Sequence, residues 1–503
     1  MKVLLLICFF WISSSYGNTL RVAISSSPNN LNPFFSTDAN SQNINRLLHI
    51  SLTDFNQKMQ FSCHLCLSYS ERIVKGKHHL RFKLRQDVTF WDGSPVSAED
   101  VKRSWFHISK NPKIKSVFRF SFESIEKVIV HGRFDIELIY KNFSLENLSN
   151  LALLKIVKIN ESIADVSLKD IIGAGSYRLG AHSVLGVRLE PRQKELPLLD
   201  FKVVKDETTL ALKLINGEID LSIANISPRK LNWLKESKKG GLAFWETPSA
   251  TYRYIGINHR HWPLSELSFR KALALLIPRL DIIKYKLRDT GVLANSLFSK
   301  AFADMYQYYP IDTYDPEKAQ LILKSAGFSK NSAGYFQKEG KLVELDWKVS
   351  SNKASLELVN TMVDFLKKNG VKVNITTQEW GTFMRNFKQG NYDLVIGRWI
   401  GFTDASMLKY VFHSKSLPPK GGNRGHFINS EFDRFIDRAT SEVNSNRRIN
   451  YYKEAVKIAN KQYAYLHLWH PHIIWITRNC IKNLTLEPNG SFYPLKKLKN
   501  DCK

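Results

Sequence analysis

The chain has 503 residues, 43% of them hydrophobic, so it can bury a large core, and domain sizes of about 100–200 residues exclude a single small module. Lys and Arg outnumber Asp and Glu by 73 to 46, a formal charge of +27, which favours an acidic ligand, an anionic surface or nucleic acid. The basic residues are dispersed in no single run, as on a lysine-rich solvated surface, and there is no low-complexity linker or short-period repeat.

Lys2 is followed by an apolar run from Val3 to Ile12 and then by Ser13, Ser14, Ser15, Tyr16 and Gly17, the layout of a secretory signal with small residues at the cleavage position. That run is shorter than the roughly 20 residues a membrane span needs. Residues 1–17 therefore read as a signal peptide cut after Gly17, and the mature charge becomes +26 (27 minus Lys2). Cys8 lies inside the apolar run, which argues against a lipid anchor. The other cysteines, Cys63, Cys66, Cys480 and Cys502, are even in number, and an exported protein keeps its disulfides. Cys63 with Cys66 and Cys480 with Cys502 is the preferred pairing. The spacing Cys63-His64-Leu65-Cys66 also suits a metal knuckle, but no second ligand pair at matching spacing accompanies it.

Alternating or β-branched runs predict strands at 20–24, 80–84, 125–130, 134–140, 187–190, 200–204, 252–258, 343–349, 372–377 and 394–396. Helical periodicity falls between them, at 98–109, 208–215, 269–276, 316–326, 355–368, 380–387, 431–441 and 447–462. The fold class is α/β, without the regular βαβ spacing of a barrel or a simple doubly wound sheet.

Residues 82–101 are the most informative stretch. Phe82 and Leu84 alternate with Lys83 and Arg85 as a half-buried strand requires. Asp92-Gly93 supplies a turn, and Ser97 with Asp100 has the spacing of a capping box at the start of a helix. The block encodes strand, turn and helix, with no reactive group.

As a string, this block resembles the signature of the extracytoplasmic solute-binding proteins of family 5, the oligopeptide-, dipeptide- and nickel-binding type. Further segments similar to that family follow in order: Leu31-Asn32-Pro33, Ile172-Gly173-Ala174-Gly175-Ser176-Tyr177, Gly217-Glu218-Ile219-Asp220, Tyr254 to Asn258, Phe269 to Leu273, Tyr314 to Ala319 and Tyr392 to Trp399. The resemblance implies a type II periplasmic binding protein, two lobes joined by a hinge, with an extra domain inserted in the N-terminal lobe. Domain I would be discontinuous, from 18–47, 171–256 and 464–503; residues 48–170 would form domain II and 257–463 domain III. The ligand would lie between domains I and III and be enclosed by hinge closure.

No zinc-binding His-Glu-x-x-His, nucleophile elbow or Walker loop is present. Gly173-Ala174-Gly175 has Arg178 where a dinucleotide loop needs its third glycine. His467, His470 and His472 have spacing that can ligate a metal, but Leu466, Leu468, Trp469 and Pro471 interleave them as in a packed strand.

Peptide-binding members of the family meet the ligand's amino terminus with an Asp in a Trp-x-Gly/Ala-Asp pattern. Here the text is Trp399-Ile400-Gly401-Phe402-Thr403-Asp404, with the expected Asp missing and Asp404 further on. Either Asp404 takes the role or the ligand is not an ordinary free peptide. Arg253, Arg260 and Arg398 flank the expected cleft and suit carboxylates. By position, the cleft-lining residues are expected to be Trp399, Asp404, Arg398, Tyr254, Asn258, Asn32 and Phe34. The resemblance implies a periplasmic receptor, monomeric and without catalytic residues, metal or cofactor. It would deliver an oligopeptide or peptide-like ligand to an ABC transporter permease, with no nucleic-acid partner. The alternatives are a receptor for a metal chelate or haem and a peptide scavenger without a transport role.

Overall fold

The computed structural model describes residues 19–159, 168–224, 226–237, 239–401 and 404–502, so the expected signal peptide lies outside the described residues. The strand Thr19–Ile24 runs through the middle of the first sheet, parallel to Leu198–Val203 on one side and to Leu221–Ser222 on the other. A strand in that place is covered on both faces, which accounts for its near-continuous apolar sequence. Leu20, Val22 and Ile24 enter one core with the helix Ala39–Leu48, while Ala23 enters a second core under the helices Glu207–Ile215 and Pro228–Ser237. Trp469–Arg478 enters this sheet between Leu221–Ser222 and Leu242–Pro248. The Arg21 side chain grips Asp220 with two hydrogen bonds, of 2.8 and 2.7 Å, so the acid of the Gly-Glu-Ile-Asp corner is a structural anchor.

The inserted unit is a four-stranded antiparallel sheet of Cys66–Val74, Lys77–Leu84, Asp135–Tyr140 and Ile125–Gly132, packed against the helix Ala98–Ser109. In residues 82–101, Phe82 and Leu84 bury in this core. Gly93 takes a φ of +85°, which suits a residue without Cβ, and Asp100 accepts a 2.8 Å hydrogen bond from the Ser97 amide. Gly173 and Gly175 mark the return to the first lobe, where a Cβ on either would sit 2.2 Å from the carbonyl oxygen of Leu48 or Leu47. Close passage of two chain segments, not phosphate binding, sets these glycines.

The second lobe holds a five-stranded sheet in the order Lys372–Gln378, Glu344–Ser350, Leu394–Trp399, Tyr252–Ile257 and Tyr465–His467. Tyr252–Ile257 and Tyr465–His467 pair in the second-lobe sheet, and Ile255, Ile257 and Leu466 bury in that lobe's core. The chain crosses between the sheets at 249–251 and at 468, and the crossings are tied together by Ser249 N–H to Pro471 O, 2.9 Å, and Leu468 N–H to Arg253 O, 3.1 Å. Cys63 is bonded to Cys66 and Cys480 to Cys502. Among the described residues no helix is long and apolar enough to cross a membrane.

Candidate functional site

Between the two sheets, against the crossings, lies a cavity of about 900 Å³. Its first-lobe wall includes Ser26, Asn40, Asn43, Trp475 and Phe492, and its second-lobe wall includes Thr290, Asn352, Arg253, Arg398 and Trp469. Mixed aromatic and hydroxyl or amide surface of this size suits an organic ligand held by a few polar contacts.

The charge on this wall comes from strand alternation. Tyr252–Ile257 and Leu394–Trp399 run antiparallel with Arg253 directly opposite Arg398. Side chains alternate across a strand, so Tyr252, Tyr254 and Trp399 point the other way. They bury in the core behind the sheet, where Tyr254 stacks on Tyr465 at 4.0 Å and on Trp399 at 6.2 Å between ring centroids. Half-buried Arg253 and exposed Arg398 are left facing the cavity together. Among the described residues neither forms an ion pair with Asp or Glu. Burial, and then the charge of Arg398, pull the Arg253 pKa down to about 10, so the site holds its positive charge against a penalty. Asp38, the acid on the cavity wall, is engaged as a helix cap, accepting from the amides of Ser41 at 3.0 Å and Asn29 at 3.2 Å.

Of the residues expected to line the cleft, Arg398 stands on its wall and the others are placed elsewhere. Asp404 accepts from the Ser149 hydroxyl and the Ser406 amide, at a smaller cavity of about 290 Å³ between the inserted unit and the second lobe. Asn258 is fully buried and donates to the Gly390 and Tyr392 carbonyls, holding a loop, and Arg260 donates to the same Gly390 carbonyl. The Asn32 side chain accepts from the Phe34 amide at 3.0 Å in a local turn, and Phe34 is a core residue of the inserted unit. Phe402 and Thr403 lie outside the described residues. Trp469, Trp475 and Phe492 were not anticipated. For the two tryptophans the signal was the C-terminal strand, where Trp469 sits between the noticed His467 and His470 and Trp475 follows His472 by three positions.

The histidines are spent on packing. His467 Nδ1 lies 2.5 Å from the Tyr252 hydroxyl and His470 Nδ1 lies 2.9 Å from the Thr251 carbonyl. Burial pushes His467 down to about 3 and His470 to about 4, so both are neutral near pH 7. His472 reaches the cavity and pairs with Glu246 at 3.2 Å. Among the described residues no group of three His, Cys, Asp or Glu is arranged to hold a metal ion.

Two lobes, a double crossing and a cavity at the hinge define the type II periplasmic binding class. The family of bacterial extracellular solute-binding proteins, family 5 (middle region), matches residues 64–416, and the chain belongs to it. It is 24% identical over 513 aligned residues to the oligopeptide-binding protein AppA of Bacillus subtilis, covering 96% of this chain and 91% of that one. It is 25% identical to the glutathione-binding protein GsiB of Salmonella typhimurium, covering 89% and 88%. The structure of NikA from Brucella suis in complex with Fe(III)-EDTA superposes with a TM-score of 0.81 at 18% identity, over 95% of this chain and 99% of that one, a likeness of fold. The chain is thus a family 5 solute-binding protein of the kind that serves ABC transporters.

Proposed function

We propose that this receptor captures a peptide or peptide-like ligand bearing carboxylate groups, closes its two lobes over it at the 249–251 and 468 crossings, and delivers it to an ABC permease without chemical change. The observation that carries the reading is the Arg253–Arg398 pair, two guanidiniums on the cavity wall that form no ion pair with an acid among the described residues. Like charges directly opposite on neighbouring strands are unfavourable until an anion lies between them, and guanidinium matches carboxylate in bidentate geometry. The engagement of Asp38 and the remote position of Asp404 leave a ligand ammonium without an obvious partner, which further favours an anionic molecule. Related proteins named for oligopeptides and for glutathione, itself a dicarboxylate peptide, support the class. The protein would act as a monomer in the periplasm after cleavage near Gly17.

A carboxylate chelate of a metal presents the same groups, and the Fe(III)-EDTA complex of the NikA fold relative keeps that reading open for test. Ligand extracted from purified protein and analysed by mass spectrometry separates the two: stoichiometric iron or nickel supports the chelate, and a metal-free acidic peptide supports the peptide. Calorimetry with an acidic tripeptide and with its fully amidated form tests the shared basis. The acid form is expected to bind about tenfold or more tighter; equal affinity would overturn the role of the arginine pair.

A further inference from the structure

A second cavity, of about 390 Å³, lies where the first lobe meets the inserted unit, and none of its lining residues lines the interlobe cleft. Stretches far apart in sequence converge there. Arg46 and His49 come from the end of the helix Ala39–Leu48 and the turn after it, and His64 sits inside the Cys63–Cys66 loop. Arg85 lies within the signature block, Arg192 follows the strand Gly186–Pro191, and Lys496 ends a C-terminal turn.

The charges on this wall do not balance. Four cationic side chains face one lining carboxylate, Asp87, which is bound to Arg85 at 2.6 Å; Arg46 is paired with Asp54. Neither Arg192 nor Lys496 forms a salt bridge among the described residues, although Lys496 feels the charge of the buried acids Asp54 and Glu487. Both are nevertheless held in place. Arg192 lies over the Trp91 ring at 4.6 Å and donates to the Thr89 hydroxyl at 3.0 Å, and the Lys496 amine lies 4.1 Å from the centroid of Tyr493. His49 is 4% exposed, and neither of its ring nitrogens has a hydrogen-bond partner. A buried polar group left unsatisfied costs about 1–3 kcal/mol. Burial also lowers the pKa of Lys496 to about 8, and a second buried lysine, Lys155, stands close enough to Asp54 and Arg46 to feel their charges. The local excess is therefore positive and partly desolvated, the condition in which a bound anion is most strongly favoured.

We propose that this cavity binds a phosphate monoester group, seated between Arg192 and Lys496 with His49 as a further hydrogen-bonding partner. Two cations that form no salt bridge match a dianion better than a single carboxylate, Arg and Lys are both phosphate ligands, and the volume leaves room for a small organic body beyond the phosphate. The group is carried either by a small soluble molecule or by a lipid headgroup.

Calorimetry with inorganic phosphate and with glycerol 3-phosphate tests the soluble source, and flotation with phosphatidylcholine vesicles containing phosphatidic acid tests the lipid source. One site per chain is expected, with a Kd of about 1 mM or tighter for at least one probe. Binding should weaken about tenfold or more in Arg192→Gln and in Lys496→Gln, and persist in Arg398→Ala, which alters only the interlobe cleft. Circular dichroism of each variant checks that it is folded, and the stoichiometry on the unaltered protein does not depend on any variant. Absence of binding to every probe, or binding that survives both substitutions in folded protein, overturns the proposal. Neither result bears on the ligand of the interlobe cleft.

Discussion

The Ser149 hydroxyl donates to the Asp404 carboxylate across the seam between the inserted unit and the second lobe, joining residues 255 positions apart in sequence. Gln60 and Asp304 make a second bond across the same seam at 3.0 Å. Asp404 therefore serves as a clasp between two units. Replacing it with Ala should lower stability by about 1–2 kcal/mol in urea unfolding and leave ligand affinity within about twofold by calorimetry. A loss of two orders of magnitude in affinity, about 3 kcal/mol, would instead place a ligand amine on Asp404.

The two arginines predict effects of opposite sign. In the empty protein Arg398→Ala removes one of two like charges facing each other, so stability should hold or rise slightly. For a carboxylate ligand the same change should weaken binding about 10- to 100-fold through loss of a charge-assisted hydrogen bond. Unfolding curves of the ligand-free variant, set beside its calorimetric affinity, check both halves. A variant that loses stability and affinity together would point to a structural role for Arg398.

Histidine burial predicts acid sensitivity in a definite window. Burial holds His49, His64, His259 and His467 near 3, and His470 near 4. Each regains an ordinary pKa of about 6.5 when the chain unfolds. Below that value the unfolded chain binds protons that the native state refuses, so stability is full above about pH 6.5 and falls as the pH drops. Each histidine contributes about 1.4 kcal/mol per pH unit. Salt-bridged carboxylates such as Asp92 and Glu137, held near 2, lose their contribution only at lower pH. Glu146 and Glu487, whose burial raises their carboxyl pKa, act in the opposite direction. Urea midpoints measured at pH 7.5, 6 and 5 should decline in that order; a flat profile would mean that these imidazoles are solvated.

The Cys480–Cys502 bond closes a segment that carries Phe492 into the interlobe cleft and Lys496 into the second cavity. Cys502→Ser is expected to cost about 2–4 kcal/mol and to expose residues 483–500 to limited proteolysis. Resistance equal to that of the oxidised protein would show that side-chain packing alone secures the segment.

Much of the frame was legible in the chain because it was written locally. Residues 82–101 show their strand alternation, their turn and their capping box within twenty positions, and the second-lobe helix Lys353–Lys368 buries Val359, Met362, Val363 and Leu366 at helical spacing. The helix Ala39–Leu48 was missed because its sequence, ANSQNINRLL, is mostly polar. Its buried face includes Ser41 and Asn45, and Asn45 donates to the Ser36 hydroxyl at 2.8 Å. The cleft was less legible, since its walls come from segments hundreds of residues apart. Even so, the chain held one usable constraint: Arg398 and Trp399 are adjacent on a strand and so cannot face the same side. The structure gives the cavity to the arginine and the core to the tryptophan, where Tyr254 and Tyr465 receive it.

The insertion of Trp469–Arg478 between Leu221–Ser222 and Leu242–Pro248 also sets the point along the chain at which the first-lobe sheet is closed. A nascent chain that has emerged only as far as His467 has most of both lobes but a gap in the first-lobe sheet, and it lacks the Trp469, Trp475 and Phe492 surfaces of the cleft. The wall of the cleft is therefore finished only by the residues that follow His467.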